Sequence, residues 1–170
     1  MNEYIDFWKI TSDALDYAMD TLNINNIKLR DDLLSLYLKL EAYPEVKSVL
    51  ENIKNMSLKT AILSNGNKKM LASAVTNANI KNLLDDVLSV EDCKVYKPAN
   101  EVYDLVENKM GVKKENVLFF SSNAWDMHAA SNYGFNTIWV NRFDGKLEKL
   151  PGKPNKIINS LEQIEKILKN

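Results

Sequence analysis

The chain has 170 residues, 45% of them hydrophobic and 26% charged, with 5 Gly, 4 Pro and a net charge of -1. A chain of this length buries roughly 70% of its unfolded surface, so a disulfide- or metal-stapled mini-protein, a fibre and a disordered chain are excluded. The near-balanced charge offers no footprint for nucleic acid or an anionic membrane.

In chain order, residues 3–41 read as purely helical. Trp8, Leu15, Ala18, Met19 and Leu22 form one stripe at helical spacing, and Leu33, Leu34, Tyr37, Leu38 and Leu40 form a second. Pro44 breaks the pattern and opens a helix from Glu45 to Met56, with Val46, Val49, Leu50 and Ile53 on one face. A subdomain boundary is expected there, separating residues 1–43 from 44–170. From Lys59 onward short apolar runs alternate with helices. KTAILS precedes a helix near Lys68, DVLSV a helix near Pro98, and VLFFS a helix near Trp125, while TIWVN follows. This alternation predicts an α/β fold, a parallel sheet with helices on both faces. Ile157-Ile158 and a helix from Leu161 to Leu168 close the edge, after a loop spanning Asp144 to Pro154.

No run is long enough to span a bilayer and the N-terminus lacks a secretory signal's basic start and apolar stretch, so a cytoplasmic protein is expected. The single Cys93 permits no internal disulfide, and with one His128 there is no His/Cys cluster for zinc or a transition metal.

Ligands of an open parallel sheet bind beyond the carboxyl ends of its strands, where this sequence turns polar. Ser64, Asn65 and Gly66 suit an anion or carboxylate, although an ordinary capped turn explains them as well. Lys97 precedes Pro98, read as a first helical residue, which puts its ammonium at a helix start in the crevice; a solvated lysine is the competing reading. Tyr103 either returns to the same mouth or packs on the sheet. Ser121, Ser122, Asn123 and Asp126 give one strand end more hydrogen-bonding groups than a turn needs. Trp125 walls an apolar substrate or enters the core. His128, a turn into the helix with no evident carboxylate partner, is a minor candidate for proton transfer.

The segments Ile62-Leu63-Ser64-Asn65-Gly66, Val95-Tyr96-Lys97-Pro98, Phe120-Ser121-Ser122-Asn123-Ala124-Trp125-Asp126 and Trp139-Val140-Asn141-Arg142 resemble the type II, or (S)-2-haloacid, dehalogenases of the haloacid dehalogenase (HAD) superfamily. The resemblance implies a HAD-like, Rossmann-type core with a helical cap. It also implies an Asp nucleophile that displaces halide from C2 of a short 2-haloalkanoate with inversion, and water that hydrolyses the resulting ester to an (R)-2-hydroxy acid. By this resemblance Ser64 and Asn65 hold the substrate carboxylate, Lys97 pairs with the nucleophile, and Tyr103 joins the hydrogen-bond network. Ser121, Asn123 and Asp126 orient nucleophile and water, Trp125 lines the pocket, Phe7 of the cap closes it, and family members often pair as homodimers. Ser122 stands where the phosphatases of the wider superfamily carry an Asp that binds Mg²⁺, and a hydroxyl is a poor replacement for that carboxylate, so the resemblance implies chemistry without a metal or other cofactor.

The family's nucleophile lies in an Asp-x-Tyr-Gly-Thr element ahead of the cap, and a cap Arg receives the halide. The 170 residues contain no such element. The resemblance therefore implies a chain shortened at its N-terminus, with a partial cap (1–43), a core (44–170), and the first core strand and first cap helix absent. Such a chain is expected to be inactive and aggregation-prone by itself. The alternatives are a non-catalytic protein that binds small carboxylates or completes its sheet with another chain, and a HAD phosphatase.

Overall fold

The computed structural model describes residues 3–168. Residues 1–2 and 169–170, the outer ends of the two expected parts, lie outside the described residues.

Two helices open the fold, α1 (Phe7–Thr21) and α2 (Ile27–Leu36). Asp6 caps the first and Asn26 the second through side-chain oxygens, as short polar residues do at helix starts. Arg30 of α2 reaches across to Ser12 at 2.7 Å and clasps the Asp16 carboxylate, one contact being 2.8 Å. The second stripe was expected to stay helical to Leu40. Instead α2 ends at Leu36, and residues 37–39 close tight turns through amides that bond three residues back. The chain has to bend there because the carbonyls of Leu38 and Leu40 are drawn onto a later helix.

After the linker, α3 (Val46–Asn55) leads to β1 (Ala61–Ser64), α4 (Lys68–Asn77) and β2 (Asp86–Ser89). Then come α5 (Asn100–Met110), β3 (Leu118–Ser121), α6 (Ala124–Tyr133), β4 (Asn136–Val140), β5 (Lys156–Ile158) and α7 (Ile164–Leu168). All pairings are parallel. β1 pairs with β2 from Ala61 with Asp86 to Ser64 with Ser89, and β3 pairs with β4, which pairs with β5. The strands thus form two ladders, β1-β2 and β3-β4-β5. Among the described residues β1 and β3 each keep one edge without a strand partner.

Strand alternation distributes the core. Leu118 and Phe120 of β3, with Ile138 and Val140 of β4, pack against Val49 and Ile53 of α3 and Ile164 of α7. Phe119 points the other way, into a cluster of Leu63, Leu88, Tyr103, Leu105, Val106, Ala130 and Phe135 between the sheets and α5 and α6. Burying each such aliphatic or aromatic side chain is worth about 1.5–3 kcal/mol, so the helices are held to the sheets from both faces.

Pro98 is not the first residue of a helix: α5 starts at Asn100, and Lys97-Pro98 is a cis peptide in a turn closed by Ala99 N–H to Tyr96 O at 3.0 Å. Lys97 is placed by this turn rather than by a helix start.

Candidate active site

Three strand ends converge on Lys97. Its Nζ donates to Leu63 O of β1 at 2.8 Å and to Asp126 Oδ2 at 3.0 Å, while the Phe119 ring lies 5.0 Å away. Its backbone N–H donates to Asn65 Oδ1 at 3.0 Å. The lysine and aspartate side chains are only 5% and 9% exposed, so this is an ion pair withdrawn from water. Burial pushes the Lys97 ammonium below its ordinary range, and the Asp126 carboxylate pulls it part of the way back.

Asp126 sits in the first turn of α6 and gathers the network. Oδ2 also accepts from Ser121 Oγ at 3.1 Å, and Oδ1 accepts from Tyr103 OH at 3.2 Å. Both oxygens are committed, and the positive end of α6 adds to their stabilisation. Tyr103 is fully buried among Phe119, Tyr133 and Phe135, with centroids 5.3–6.2 Å away. Burial first, and then the Asp126 charge, raise its phenol above the ordinary tyrosine range. The ring of Tyr103 packs on the sheet while its hydroxyl bonds Asp126.

The rim is made of the more open residues. Ser64 Oγ accepts from Gly66 N–H at 3.0 Å and shapes the turn after β1. Asn123 occupies the N-cap position of α6, but its side chain makes no cap bond, while its backbone N–H donates to Ser121 Oγ at 3.2 Å. Trp125 is 37% exposed beside Asp126, a rim residue rather than a core one. Phe7 lies against Tyr96, the neighbour of Lys97, at 6.0 Å between centroids. Lys97, Tyr103, Ser121 and Asp126 are thus joined directly, Asn65 joins through the Lys97 backbone, and Ser64, Asn123, Trp125 and Phe7 stand around them.

His128 does not enter the cluster. Its Nδ1 bonds Gly152 O at 2.9 Å on the far loop, and its Nε2 is buried with no partner among the described residues. Two residues escaped sequence reasoning. Trp139 Nε1 donates to Ser122 O at 3.1 Å and fixes the loop after β3, and Asn67, buried at the start of α4, bonds Asp6. Strand periodicity places Trp139 opposite Ile138 and Val140, but nothing local signals its bond. Among the described residues, no three His, Cys, Asp or Glu side chains converge as a metal site would need.

A family model described as haloacid dehalogenase-like hydrolase matches residues 5–134. An (S)-2-haloacid dehalogenase 4A from Burkholderia cepacia is 38% identical over 169 residues, covering 99% of this chain and 73% of that protein. A crystal structure of an L-2-haloacid dehalogenase superposes with a TM-score of 0.95 at 37% identity, covering 98% of this chain and 74% of that one. The L-2-haloacid dehalogenase from Xanthobacter autotrophicus with chloropropionic acid covalently bound superposes at 0.91 and 30% identity, covering 98% and 77%.

Proposed function

The chain belongs to the haloacid dehalogenase-like hydrolases, and on that premise we propose that its crevice serves hydrolytic dehalogenation of short (S)-2-haloalkanoates. The observation that carries this reading is the buried Lys97–Asp126 pair with Tyr103 and Ser121, set at the strand ends of a chain similar throughout to (S)-2-haloacid dehalogenases.

In the proposed reaction a carboxylate attacks C2 of the substrate from the side opposite the halogen. Its oxygen forms an ester with inversion as halide departs with the bonding electrons; water then attacks the ester carbonyl, frees the carboxylate and yields an (R)-2-hydroxy acid. Ser64 and the Asn65 amide hold the substrate carboxylate. The Lys97 ammonium stabilises the attacking carboxylate, and Asp126, Ser121 and Asn123 orient that group and the water. Trp125 and Phe7 line the apolar side of the pocket, residues 1–43 act as its cap, and residues 44–170 form the core. No metal or cofactor takes part.

Among the described residues Asp126 is the only carboxylate of this network, and it accepts from three donors, which suits an orienting group and not a free nucleophile. The 170-residue chain by itself is accordingly expected to bind substrate without turning it over. Exposed Tyr17, Leu22, Ile27 and Leu36 on α1, α2 and their junction support pairing of two copies, which light scattering tests. A cytoplasmic setting fits the single free Cys93.

The deciding experiment titrates the purified chain with (S)- and (R)-2-chloropropionate while chloride is monitored. The proposal expects saturable binding that favours the (S) form, without chloride. Chloride release would identify a nucleophile within these residues and overturn the orienting role of Asp126. No binding of either acid, or of lactate, would overturn the substrate class.

A further inference from the structure

The starts of α1 and α4 share one junction. Asp6 caps α1, accepting from Trp8 N–H at 2.9 Å and Lys9 N–H at 3.3 Å, and Asn67 caps α4, its Oδ1 accepting from Met70 N–H at 2.8 Å. An asparagine cap needs only that oxygen. Here Nδ2 of Asn67 also reaches both oxygens of Asp6, at 3.1 and 2.9 Å, across 61 positions of sequence. Asn67 is 9% exposed, so its amide is held on both sides within a nearly closed space. An amide donating to a carboxylate is a charge-assisted bond, stronger than a neutral one, and the start of α1 stabilises the same negative charge.

The neighbours make this more than a pair of caps. Asn67 lies two residues beyond Asn65, whose Oδ1 holds the Lys97 backbone. Tyr96, adjacent to Lys97, donates its hydroxyl to Ile5 O, adjacent to Asp6, and stacks on Tyr4 at 5.3 Å. The entry to α1 is therefore tied to both loops that present the proposed substrate-binding and ion-pair residues.

We propose that Asp6 and Asn67 are positioning residues that lock the α1–α2 pair onto the loop after β1, coupling the seating of these helices to the placement of Ser64 and Asn65. The coupling rests on the proposed function for its ligand, but the junction itself can be read without one. A purely local role would leave ligand affinity indifferent to the bond between the two caps.

Asn67→Asp tests it, because aspartate caps a helix as well as asparagine does, and α4 keeps its start while two carboxylates now face each other. The exchange D6N/N67D restores donor and acceptor in reversed order with both caps intact. Affinity for (S)-2-chloropropionate and amide hydrogen exchange of residues 7–10, with and without that acid, are measured in each. N67D is expected to bind roughly tenfold more weakly, a usual size for coupling between sites, with faster exchange and no ligand protection of these amides. The exchanged pair returns both readouts to within about twofold of the parent. Should N67D not fold, Asp6→Ser keeps both caps and removes the charged acceptor alone, with the same expected losses. Parent-like affinity and exchange in the single variants overturns the proposal, as does an exchanged pair that melts like the parent without recovering them. So does weakened binding with unchanged exchange. If the parent binds no 2-haloalkanoate, the functional reading fails, and exchange in the free proteins still decides the lock.

Discussion

Lys97 Nζ and Asp126 Oδ2 lie 3.0 Å apart with both side chains nearly closed to solvent. Removing one partner leaves the other charge buried without its counter-charge, even though Asp126 keeps Ser121 and Tyr103 and Lys97 keeps Leu63 O. Lys97→Met is expected to cost about 3–5 kcal/mol in urea unfolding, and K97M/D126L less than the sum of its two single variants. Additive losses would show that the two charges act independently.

Tyr103 contributes to the response to alkali. Its phenol is raised by burial and by the Asp126 carboxylate, so the folded chain keeps this proton at pH values where the unfolded chain gives it up. Tyr103 contributes its stability in full below about pH 10, and that contribution is lost as pH rises through its higher folded value. Tyr103→Phe is expected to flatten the fall in stability above about pH 10. A Tyr103 that ionises near the ordinary tyrosine value of about 10 in a spectroscopic titration would contradict this.

Two glycines separate conformation from crowding. Gly111 ends α5 at φ +66 with nothing near the place of a Cβ, whereas a Cβ on Gly152, at φ +83, would lie 2.4 Å from His128 O. Gly111→Ala is expected to cost about 1 kcal/mol, the penalty of a left-handed alanine. Gly152→Ala adds the clash and is expected to cost about 3 kcal/mol. Equal melting temperatures for the two variants would show that the loop yields.

Trp139→Phe keeps the ring among Ala124 and Met127 but drops the bond to Ser122 O. The expected loss of stability is about 1 kcal/mol, with a larger effect on 2-haloalkanoate affinity because the loop carrying Ser121 and Asn123 is loosened. Stability and affinity measured together decide it: an affinity equal to the parent's would remove Trp139 from the positioning of this loop.

What could be read from the sequence followed chemistry that is local. Ser121 to Asp126 stand out because four hydrogen-bonding side chains close an apolar strand, and the structure joins Asp126 to Lys97 and Tyr103 and Ser121 to Asp126. Lys97 was expected in the crevice for a reason the structure replaces: Pro98 serves a turn, and the lysine is held by Asn65 and Leu63. The Asp6–Asn67 bond has no local signature at all, since each residue is explained by its own helix and only tertiary packing brings them together. The end of α2 has no local signature either, because Ser73 and Asn77 of α4 capture the carbonyls of Leu38 and Leu40 at 2.7 and 2.9 Å.

The loop between β4 and β5 is pinned unevenly. Asn141 exchanges two hydrogen bonds with Gly145, and Gly152 and Lys153 are fastened to His128 and Ser131 on the back of α6, the helix whose first turn holds Asp126. Asn155 then sets the register of β5 against Thr137 at 2.7 Å. Residues 146–151 between these anchors are exposed. Variation in chain length is thereby channelled: an added or deleted residue within 146–151 only reshapes a solvated bow, whereas one between Gly152 and Asn155 slips a strand and drags on the helix that carries the site.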